Sequence, residues 1–561
     1  IDFLRANPAL AVFVTLALGF LVGKLRWRSF SLGTVTSVLL VGVVVGQLKI
    51  PIPEPAKTLF FLLFLFAVGY AVGPQFFRGL QRDGLPQVGF AVVICLLCLG
   101  STWLCAELMG YDVAQAAGLL AGSQTMSAVL GVATDTIHQL PDGQTINMDA
   151  MPVCYAVTYI FGTAGSAWIL GTLGPRLLGG VEKVHKAALD LESKLGDDVS
   201  FTAGFDPAAR AIVFRAYKAE NDWFAENPTV AEFERYMQSQ KKLIFVERLR
   251  QRGRIVDDVK PRTVIYAGDT LVVSGRRQYV IEEEEWIGTE VEDAELTNFS
   301  VQSLPVVVSK RGAAGQYIRN VLKNKSMHGV NIRSILRAGV KIPVLAGGKL
   351  DAGDRLELVG LPQDVRRAAP TLGFSDPVSE KTGMPLVGLG IFLGGLIFGW
   401  LLMTRVGTIP LSLTVSGGVL IAGLFCGWLH ARYPHVGNIP QPTLWFMNNV
   451  GLNTFIAIVG ISTGPTFIRG FQEVGWSLFL IGAAATSIPL ISGIFIGRYL
   501  FRFNDALTLG CISGSRTTTA ALGAVEETIQ SNVPSMGYTI TYAVGNTLLI
   551  IWGVVIVLLI A

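Results

Sequence analysis

Two polar segments in apolar surroundings contain the residue types best suited to bind an anion. Residues 122–131 read Gly-Ser-Gln-Thr-Met-Ser-Ala-Val-Leu-Gly, and residues 514–523 read Gly-Ser-Arg-Thr-Thr-Thr-Ala-Ala-Leu-Gly. A row of hydroxyls with one arginine is costly in hydrocarbon unless it lines a cavity or meets a partner. The pattern occurs once near the end of each apolar half of the chain. We therefore interpret the two segments as the two halves of a substrate site in a membrane transporter.

Arg516 is the leading candidate within this site, because its planar guanidinium matches the geometry of a carboxylate. The equivalent position of the first segment is the neutral Gln124, so the predicted site is asymmetric, as a zwitterion or a dicarboxylate requires. The hydroxyls predicted to donate to the same anion are those of Ser123, Thr125, Ser127, Ser515, Thr517 and Thr519. The alternative is that these hydroxyls cap helix ends and that Arg516 pairs with Glu526 or Glu527.

Six further residues are weaker candidates for the translocation path. Arg78 and Arg469 each follow a Gly-Pro helix break, and they either line the path or anchor helix ends at the membrane interface. The remaining candidates either face the cavity or pack in the interior; they are Tyr155, Tyr159, Tyr542 and Asn546.

The composition indicates a membrane protein with a soluble insertion. The 561 residues are 51% hydrophobic, include 63 glycines and have a mean hydropathy of +0.50. Residues 1–178 hold 9 Lys/Arg and 8 Asp/Glu, and residues 383–561 hold 6 and 4, so most charges lie between the two. The central part is nearly neutral, which argues against nucleic acid as a partner.

The first half contains six apolar runs, and their number sets the topology. They lie at about 8–25, 32–48, 58–73, 86–106, 113–133 and 152–174. Lys24, Arg26 and Arg28 follow the first run, so it is predicted to be a membrane helix that ends in the cytoplasm, not a signal peptide. If 113–133 is a broken helix or re-entrant hairpin, five spans remain and the central part is cytoplasmic. The alternative is a plain sixth helix.

The second half repeats the first. Its apolar runs lie at about 385–402, 411–429, 445–466, 476–497, 506–523 and 537–561. Residues 69–79 and 460–470 share the pattern Gly-x-x-x-Gly-Pro-x-Phe-x-x-Gly. With five spans per half, the second half is inverted relative to the first, a common plan of secondary transporters. Both termini are then predicted to lie outside the cell.

The central module is predicted to be a tandem α/β repeat. Ala267-Gly268-Asp269 recurs as Ala352-Gly353-Asp354, and early strands are expected at Arg210–Tyr217 and Ser303–Ser309. The module resembles the RCK or TrkA C-terminal domain of potassium-conductance regulators, which implies dimerisation and a small effector. No strand is followed by G-x-G-x-x-G, so NAD or ATP binding is not expected. The Gly-Asp turns are interpreted as hairpin geometry.

The fold prediction is an α-helical membrane protein with two inverted-topology repeats and an inserted cytosolic module. Each repeat has about five spans plus a re-entrant or broken helix. The predicted boundaries are 1–178 for the first membrane repeat, 179–297 and 298–378 for the two TrkA-C-like domains, and 379–561 for the second membrane repeat.

The chain resembles the aspartate:alanine exchanger family, because the two shared motifs flank a tandem TrkA-C module. The resemblance implies a multi-pass antiporter of the bacterial inner membrane, a homodimer in lipid, that exchanges aspartate for alanine. Other family members resemble dicarboxylate exporters, for instance of succinate. Alternating access, with an elevator motion, is expected by analogy. The competing class is an ion channel gated by the TrkA-C module, or a membrane sensor.

No catalytic or metal-binding pattern is found in the sequence. The five histidines are scattered, and all six cysteines fall in apolar stretches, as suits a reducing compartment. We therefore expect neither an enzyme nor a cofactor or metal.

Overall fold

The computed structural model divides the chain into two compact units. One consists of Ile1–Leu191 and Val378–Ala561, and the other of Glu192–Pro377. The structure describes residues 2–24, 26–27, 30–31, 33–80, 84–141, 143, 146–195, 212–240, 242, 244–257, 259–276, 280, 284–310, 312–337, 340–375, 382–398, 404–406, 409–411, 414–433, 437–474 and 477–561.

The first half of the helical unit contains seven helices that we label α1 to α7. They are α1 (Pro8–Gly23), α2 (Thr34–Gly46), α3 (Glu54–Gly79), α4 (Leu85–Met109), α5 (Val113–Ser123), α6 (Ala128–Gln139) and α7 (Ala150–Trp168). A short helix, Asp2–Ala6, precedes α1, and a small hairpin of Arg26–Trp27 and Phe30–Ser31 follows it. A π-helical turn, Ile169–Leu173, and the helices Gly174–Leu177 and Val181–Leu195 follow α7.

The second half contains the same succession of helices, labelled α8 to α14. They are α8 (Met384–Leu396), α9 (Thr414–Arg432), α10 (Gln441–Val474), α11 (Ser477–Phe495), α12 (Asp505–Ser515), α13 (Thr519–Ile529) and α14 (Val533–Ile560). A hairpin of Thr404–Val406 and Ile409–Leu411 lies between α8 and α9, as its counterpart lies between α1 and α2. A π-helical turn, Ile496–Leu500, follows α11.

The helical unit is that of a multi-pass membrane protein. Within the described ranges, seven helices are long and apolar enough to cross a bilayer; they start at residues 54, 85, 150, 414, 441, 477 and 533. Four shorter apolar helices, α1, α2, α5 and α8, accompany them. All six cysteines are buried and form no disulfide.

Glycines set two close helix crossings that join one half of the chain to the other. A Cβ at Gly464 of α10 would lie 2.6 Å from the carbonyl oxygen of Val43 in α2. A Cβ at Gly423 of α9 would lie 2.5 Å from the carbonyl oxygen of Phe66 in α3. Small residues let helix backbones approach closely in a membrane, where packing replaces the hydrophobic effect. The two crossings therefore require glycine at these positions.

The helices pack in two groups. Helices α1, α2, α3, α8, α9 and α10 pack mainly with one another, and α4, α5, α7, α11, α12 and α14 form the second group. Helix α13 packs on α7 and its π-helical turn, and α6 packs on α14 and α5 and also on α9. Helix Val181–Leu195 belongs largely to this unit, because His185 bonds to the carbonyl of Ile529 and Asn504 donates to that of Ala187.

The second unit contains two sheets with the same strand order. The first is β1 (Ile212–Lys218), β2 (Ile244–Gln251), β3 (Arg254–Val256) and β4 (Thr270–Arg276), arranged as β1-β4-β2-β3. The second is β5 (Gln302–Val308), β6 (Val330–Arg337), β7 (Val340–Ile342), β8 (Arg355–Gly360) and β9 (Gly373–Ser375), arranged as β9-β5-β8-β6-β7. All pairings are antiparallel. Residues 210–211 of the first expected strand lie outside the described residues.

Each copy also contains short helices beside its sheet. In the first copy they are the 3-10 helix Asp222–Glu226 and the helices Val230–Ser239, Glu284–Ile287 and Ala294–Thr297. In the second they are Ile318–Leu322, the 3-10 helix Lys325–Met327, and Pro362–Leu372. Each copy has its own apolar core, one around Phe224 and Leu271 and the other around Val306 and Leu356.

The two Gly-Asp turns have the same structural role in both copies. Gly268 and Gly353 adopt φ of 88° and 89°, a region that favours glycine. The buried Asp269 accepts from the backbone N–H of Tyr266, and the buried Asp354 accepts from that of Asp351. Each carboxylate therefore closes its own turn, in agreement with the interpretation of these turns as hairpin geometry. The assignment of the copies to TrkA-C-like domains and the predicted boundaries stay predictions.

Candidate functional site

Both polar segments fold into a helix, a short break and a second helix. Asp112 and Gln115 form a capping box that begins α5, and the side chain of Asn504 accepts from Ala506 N–H at the start of α12. The breaks contain Thr125 and Thr517, with φ of 57° and 52°. A β-branched residue at positive φ is strained, so tertiary packing must hold both breaks in place.

The first helix of each broken pair packs against the long helix that comes after the pair: α5 packs on α7, and α12 packs on α14. A Cβ at Gly514 of α12 would lie 2.5 Å from the carbonyl oxygen of Tyr538, and one at Gly122 of α5 would lie 2.5 Å from that of Tyr155. Gly118 lies against Met151 at the start of α7, and Gly162, further along α7, lies against the end of α5. Helix α5 therefore runs in the same direction as the first half of α7.

The same order of contacts holds in the second half. Gly510 lies against Pro534 at the start of α14, and Gly545 lies against Ser515 at the end of α12. Further along, Gly553 of α14 packs on Val129 at the start of α6, at 3.3 Å from a Cβ to the side chain. Gly171, in the turn after α7, packs on Ala524 of α13. The N-terminal parts of α7 and α14 thus contact the polar segment of their own half, and their C-terminal parts contact that of the other half.

The two breaks meet inside the unit. Thr125 Oγ1 donates to the carbonyl of Arg516 at 3.4 Å, and Arg516 Nη2 donates to the carbonyl of Ser123 at 2.6 Å. The Ser123 carbonyl also accepts from Thr486 Oγ1 of α11 at 2.9 Å. This carbonyl is one of the last of α5, and such terminal carbonyls have no partner within their own helix. The structure therefore brings the two sequence-predicted segments together.

Arg516 is fully buried and forms no ion pair with an acidic side chain in the described part of the chain. Besides Ser123, its guanidinium donates from Nη1 to the Thr486 carbonyl at 3.2 Å and from Nη2 to Ser166 Oγ at 3.5 Å. Its Nε–H has no hydrogen-bond partner among the described residues. The ion pair with Glu526 or Glu527 that the alternative interpretation expects is absent between these described residues. A buried unpaired charge is costly, so the arrangement has the capacity to accept an anion.

Gln124 is positioned by a proline in α11. Pro489 has no N–H, so it cannot donate to the carbonyl of Ala485, four residues earlier. Two side chains bond to that carbonyl instead, Gln124 Nε2 at 3.1 Å and Ser101 Oγ at 3.2 Å. Gln124 Nε2 also donates to Thr102 Oγ1 at 3.4 Å, while its Oε1 is buried without a partner among described residues. Gln124 and Arg516 thus bond to consecutive carbonyls of one helix.

The predicted hydroxyls are in different environments. Ser127 Oγ bonds to the Tyr155 hydroxyl at 2.6 Å, and Ser515 Oγ donates to its own helix at Cys511. Thr519 is exposed at the start of α13, where Thr518, not a predicted residue, provides the cap by accepting from Ala521 N–H. Thr125 and Thr517 are half-buried at the two breaks. No hydrogen bond among the described residues makes Ser127, Ser515 or Thr519 a helix cap, whereas Thr125 donates to the carbonyl of Arg516, the residue that follows α12.

The weaker candidates are more scattered. Tyr155 and Tyr159 pack with ring centroids 5.1 Å apart, as do Tyr538 and Tyr542, so packing accounts for these rings. Asn546 is buried on α14. Arg78 lies in the last turn of α3, away from the two breaks in sequence. Arg469 lies on α10, with its side chain outside the described part of the structure.

Three hydroxyl residues near Arg516 and Gln124 were not among the predicted site residues. Thr486, Ser166 and Thr102 are all buried, and each hydrogen-bonds to one of the two side chains. Their signal in the sequence is weak, because a single hydroxyl in an apolar run bonds equally well to its own helix.

Comparison with known proteins places the chain among bacterial membrane transporters. A family model described as a predicted permease membrane region matches residues 11–173 and 385–558. An uncharacterized transporter of Shewanella oneidensis is 43% identical over 99% of this chain and 98% of its own length. An uncharacterized transporter of Bordetella parapertussis is 35% identical over 99% of this chain and 97% of its own length. One of Bradyrhizobium diazoefficiens is 36% identical over 92% of this chain and 99% of its own length. No solved structure matches.

Proposed function

Since the chain belongs to the aspartate:alanine exchanger family of permeases, we propose that it is a secondary active transporter that exchanges an acidic amino acid for a neutral one. The observation that carries the proposal is the guanidinium of Arg516 at the junction of two broken helices, where it is fully buried and has no acidic partner among the residues that the structure describes. A substrate carboxylate is the missing counter-charge. Charge-assisted bonds to it are each worth about 1.5–3 kcal/mol.

The surroundings of Arg516 favour a substrate over a fixed structural anion. Helices α6 and α13 begin at the breaks, so the positive ends of their dipoles favour negative charge at the same place. Gln124 occupies the equivalent position in the other half and is neutral, so the two ends of the site differ. An amino acid with one carboxylate at Arg516 and its other polar groups toward Gln124 satisfies both ends.

We infer that each polar segment is a re-entrant hairpin and that the halves are inverted repeats. Helix α5 runs parallel to the start of α7, and only ten residues separate the end of α6 from that start. The C-terminal end of α7 contacts α13, and the C-terminal part of α14 contacts α6. The two hairpins then enter from opposite sides, and five spans remain in each half. This topology supports a cytoplasmic TrkA-C-like module, external termini and an inner-membrane location.

The test is counterflow in proteoliposomes. Vesicles loaded with unlabelled L-alanine, L-aspartate or succinate take up labelled L-aspartate if the protein exchanges them. Arg516→Ala should abolish uptake, and Arg516→Lys, which keeps the charge but loses the planar fork, should lower it by about tenfold or more. The exposed Arg502→Lys is the matched control and should be unchanged.

The outcomes separate the candidates. Uptake driven by internal alanine and lost in Arg516→Ala supports amino-acid exchange. Uptake driven only by succinate moves the protein to dicarboxylate transport. Uptake that persists in Arg516→Ala would remove Arg516 from the site. If no loading condition drives uptake, the result would contradict transport of these substrates and favour the channel or sensor class.

We further propose an elevator motion, in which the group with both hairpins moves against the group of α1, α2, α3, α8, α9 and α10. Asp135 of α6 accepts a hydrogen bond from Ser416 of α9, across the two groups. A disulfide between cysteines at these positions should stop exchange, and reduction should restore it. Thr382 and Thr443, whose hydroxyls lie 3.0 Å apart within one group, provide the matched control. Unimpaired exchange in the cross-linked Asp135–Ser416 pair would exclude the motion.

A further inference from the structure

A cleft opens in the second unit between its two tandem copies. Its volume is about 650 Å³, within the range of small-molecule sites. Both copies contribute charged side chains to the lining. Those of the first copy are Glu247, Asp257 and Lys260, and those of the second are Lys325, His328, Asp364 and Arg367.

The floor of the cleft is acidic. Glu247 on β2 is 4% exposed, accepts from Ser274 Oγ, and forms no ion pair with another described residue. Asp364, in the helix after β8, is also buried and forms an ion pair with the exposed Arg367 at 2.8 Å. Burial, together with the nearby charges of Asp364 and Glu234, raises the pKa of Glu247 to about 7. A cation on this floor would relieve an unfavourable burial.

The rim of the cleft is basic. Lys260, Lys325 and Arg367 are exposed around the opening. Lys325 forms no ion pair with any other described residue, so its ammonium is available to an incoming anion. His328 bonds to Glu234 at 2.6 Å, which joins the second copy to the first at the edge of the cleft. Among the described lining residues, the cationic partners for an anionic group therefore lie at the rim.

We propose that this cleft binds a free amino acid, with the ammonium group on Glu247 and Asp364 and the carboxylate on Lys325 and its basic neighbours. A bare metal ion fits less well, because no group of three or more metal-ligating side chains occurs among the described residues. A nucleotide fits less well, because it has no ammonium group for the acidic floor. The site lies outside the membrane unit and is independent of the substrate of Arg516.

Binding of the ammonium group is coupled to a proton. The bound ammonium group favours the ionised form of Glu247. The affinity for the amino acid should therefore rise with pH by up to about tenfold per pH unit, and this rise should level off above about pH 7. The charged groups that face Glu247 are Asp364, Glu234 and His328. The pKa of His328 is raised by its bond to Glu234, so its loss of charge at higher pH leaves the floor more negative and acts in the same direction.

Hydrogen–deuterium exchange on the full chain in lipid nanodiscs tests the site directly. The Arg516→Ala variant is used, so that the membrane site does not contribute. L-Alanine should protect peptides that cover β2 and residues 325–330 and 361–367. Propionate lacks the ammonium group and ethylamine lacks the carboxylate, so neither should protect them. The proposal would be overturned if propionate, ethylamine or AMP protected these peptides instead. It would also be overturned if neither L-alanine nor L-aspartate protected them at 10 mM, which is about the weakest binding of interest.

Two variants check the assignment of residues. Glu247→Gln should weaken protection at least tenfold and remove its pH dependence, and Lys325→Gln should weaken it without changing the pH dependence. Arg333→Gln, on β6 outside the cleft, is the control and should behave as the parent. Exchange without ligand shows whether each variant is folded. Because counterflow reports only the membrane site, either proposal can fail while the other stands.

Discussion

Ser123 and Arg516 lie on different broken helices, and the guanidinium of Arg516 donates to the Ser123 carbonyl at 2.6 Å. That carbonyl ends α5, where the helix dipole is negative, so the arginine acts as a C-terminal cap for a helix of the other half. The cap fixes the orientation of the guanidinium, as the proposed substrate site requires. It leaves the Nε–H for a ligand. One residue therefore joins the two segments and presents a donor between them.

The glycine at residue 514 is predicted to be irreplaceable. In Gly514→Ala the new Cβ would lie 2.5 Å from the Tyr538 carbonyl oxygen and against Thr541 Oγ1, so α12 must move away from α14. We expect counterflow to fall at least tenfold with a lowered melting temperature. Gly523→Ala, where nothing lies within 4 Å of a Cβ, should leave both unchanged. Full activity in Gly514→Ala would show that the break tolerates movement.

Pro489 and Gln124 should be coupled energetically. Gln124→Ala removes one of the donors to the Ala485 carbonyl and should cost about 1 kcal/mol. In Pro489→Ala the restored helix N–H bonds to that carbonyl, so the same Gln124→Ala change should cost less. Thermal unfolding of the four members of the cycle measures the coupling. Equal costs in both backgrounds would mean that Gln124 does not compensate for the proline.

The stability of the second unit should fall as pH rises. The pKa of Glu247 is raised to about 7 by burial, so ionisation is easier in the unfolded state, and stability is lost between pH 4.5 and 7. The loss is on the order of 3 kcal/mol. His328 adds a loss at higher pH, since its raised pKa stabilises only the protonated form. The measurement is hydrogen exchange of β2, corrected for intrinsic rates.

Glu247→Gln is the control for this pH dependence. It should remove the loss between pH 4.5 and 7 and retain the part due to His328. A slope that survives in Glu247→Gln would assign the effect to another group.

A buried ion network in the second copy should be essential for folding. Arg337 is paired with Asp351 at 2.8 Å and with Asp354 at 2.6 Å, and both carboxylates are fully buried. Arg337→Met leaves two uncompensated charges and should destabilise the unit by about 3–5 kcal/mol. Arg333→Met, at the exposed pair with Glu357, should cost at most about 1 kcal/mol. Urea unfolding monitored by hydrogen exchange of β8 compares them, and similar costs would contradict this account.

The repeats were predictable because each one contains short sequence motifs that recur in the other. The Gly-Pro and Gly-Ser motifs recur at nearly constant spacing, and the Gly-Asp turns recur with their strands. The membrane class followed from composition. The pairing of Arg516 with Gln124 as equivalent positions was also visible in the sequence, and the structure brings their two segments together.

The partners of Arg516 were not predictable. Thr486 acts through its backbone carbonyl, which no side-chain pattern records. The role of Gln124 depends on a proline that lies far away in sequence on α11. Such contacts are fixed by the crossing of distant helices, and a single sequence contains no signal for them.

The glycine crossings have a consequence for how the protein is made. Helix α2 packs through Gly42 against Gly460 of α10, and α3 packs through Gly69 against Gly423 of α9. About 400 residues are translated between such partners, which takes roughly 20 to 80 seconds. During that time the grooves of the first half face lipid or an insertion factor, and the second unit folds before they close. The two halves, supplied as separate polypeptides, should therefore be degraded when expressed singly and accumulate when expressed together.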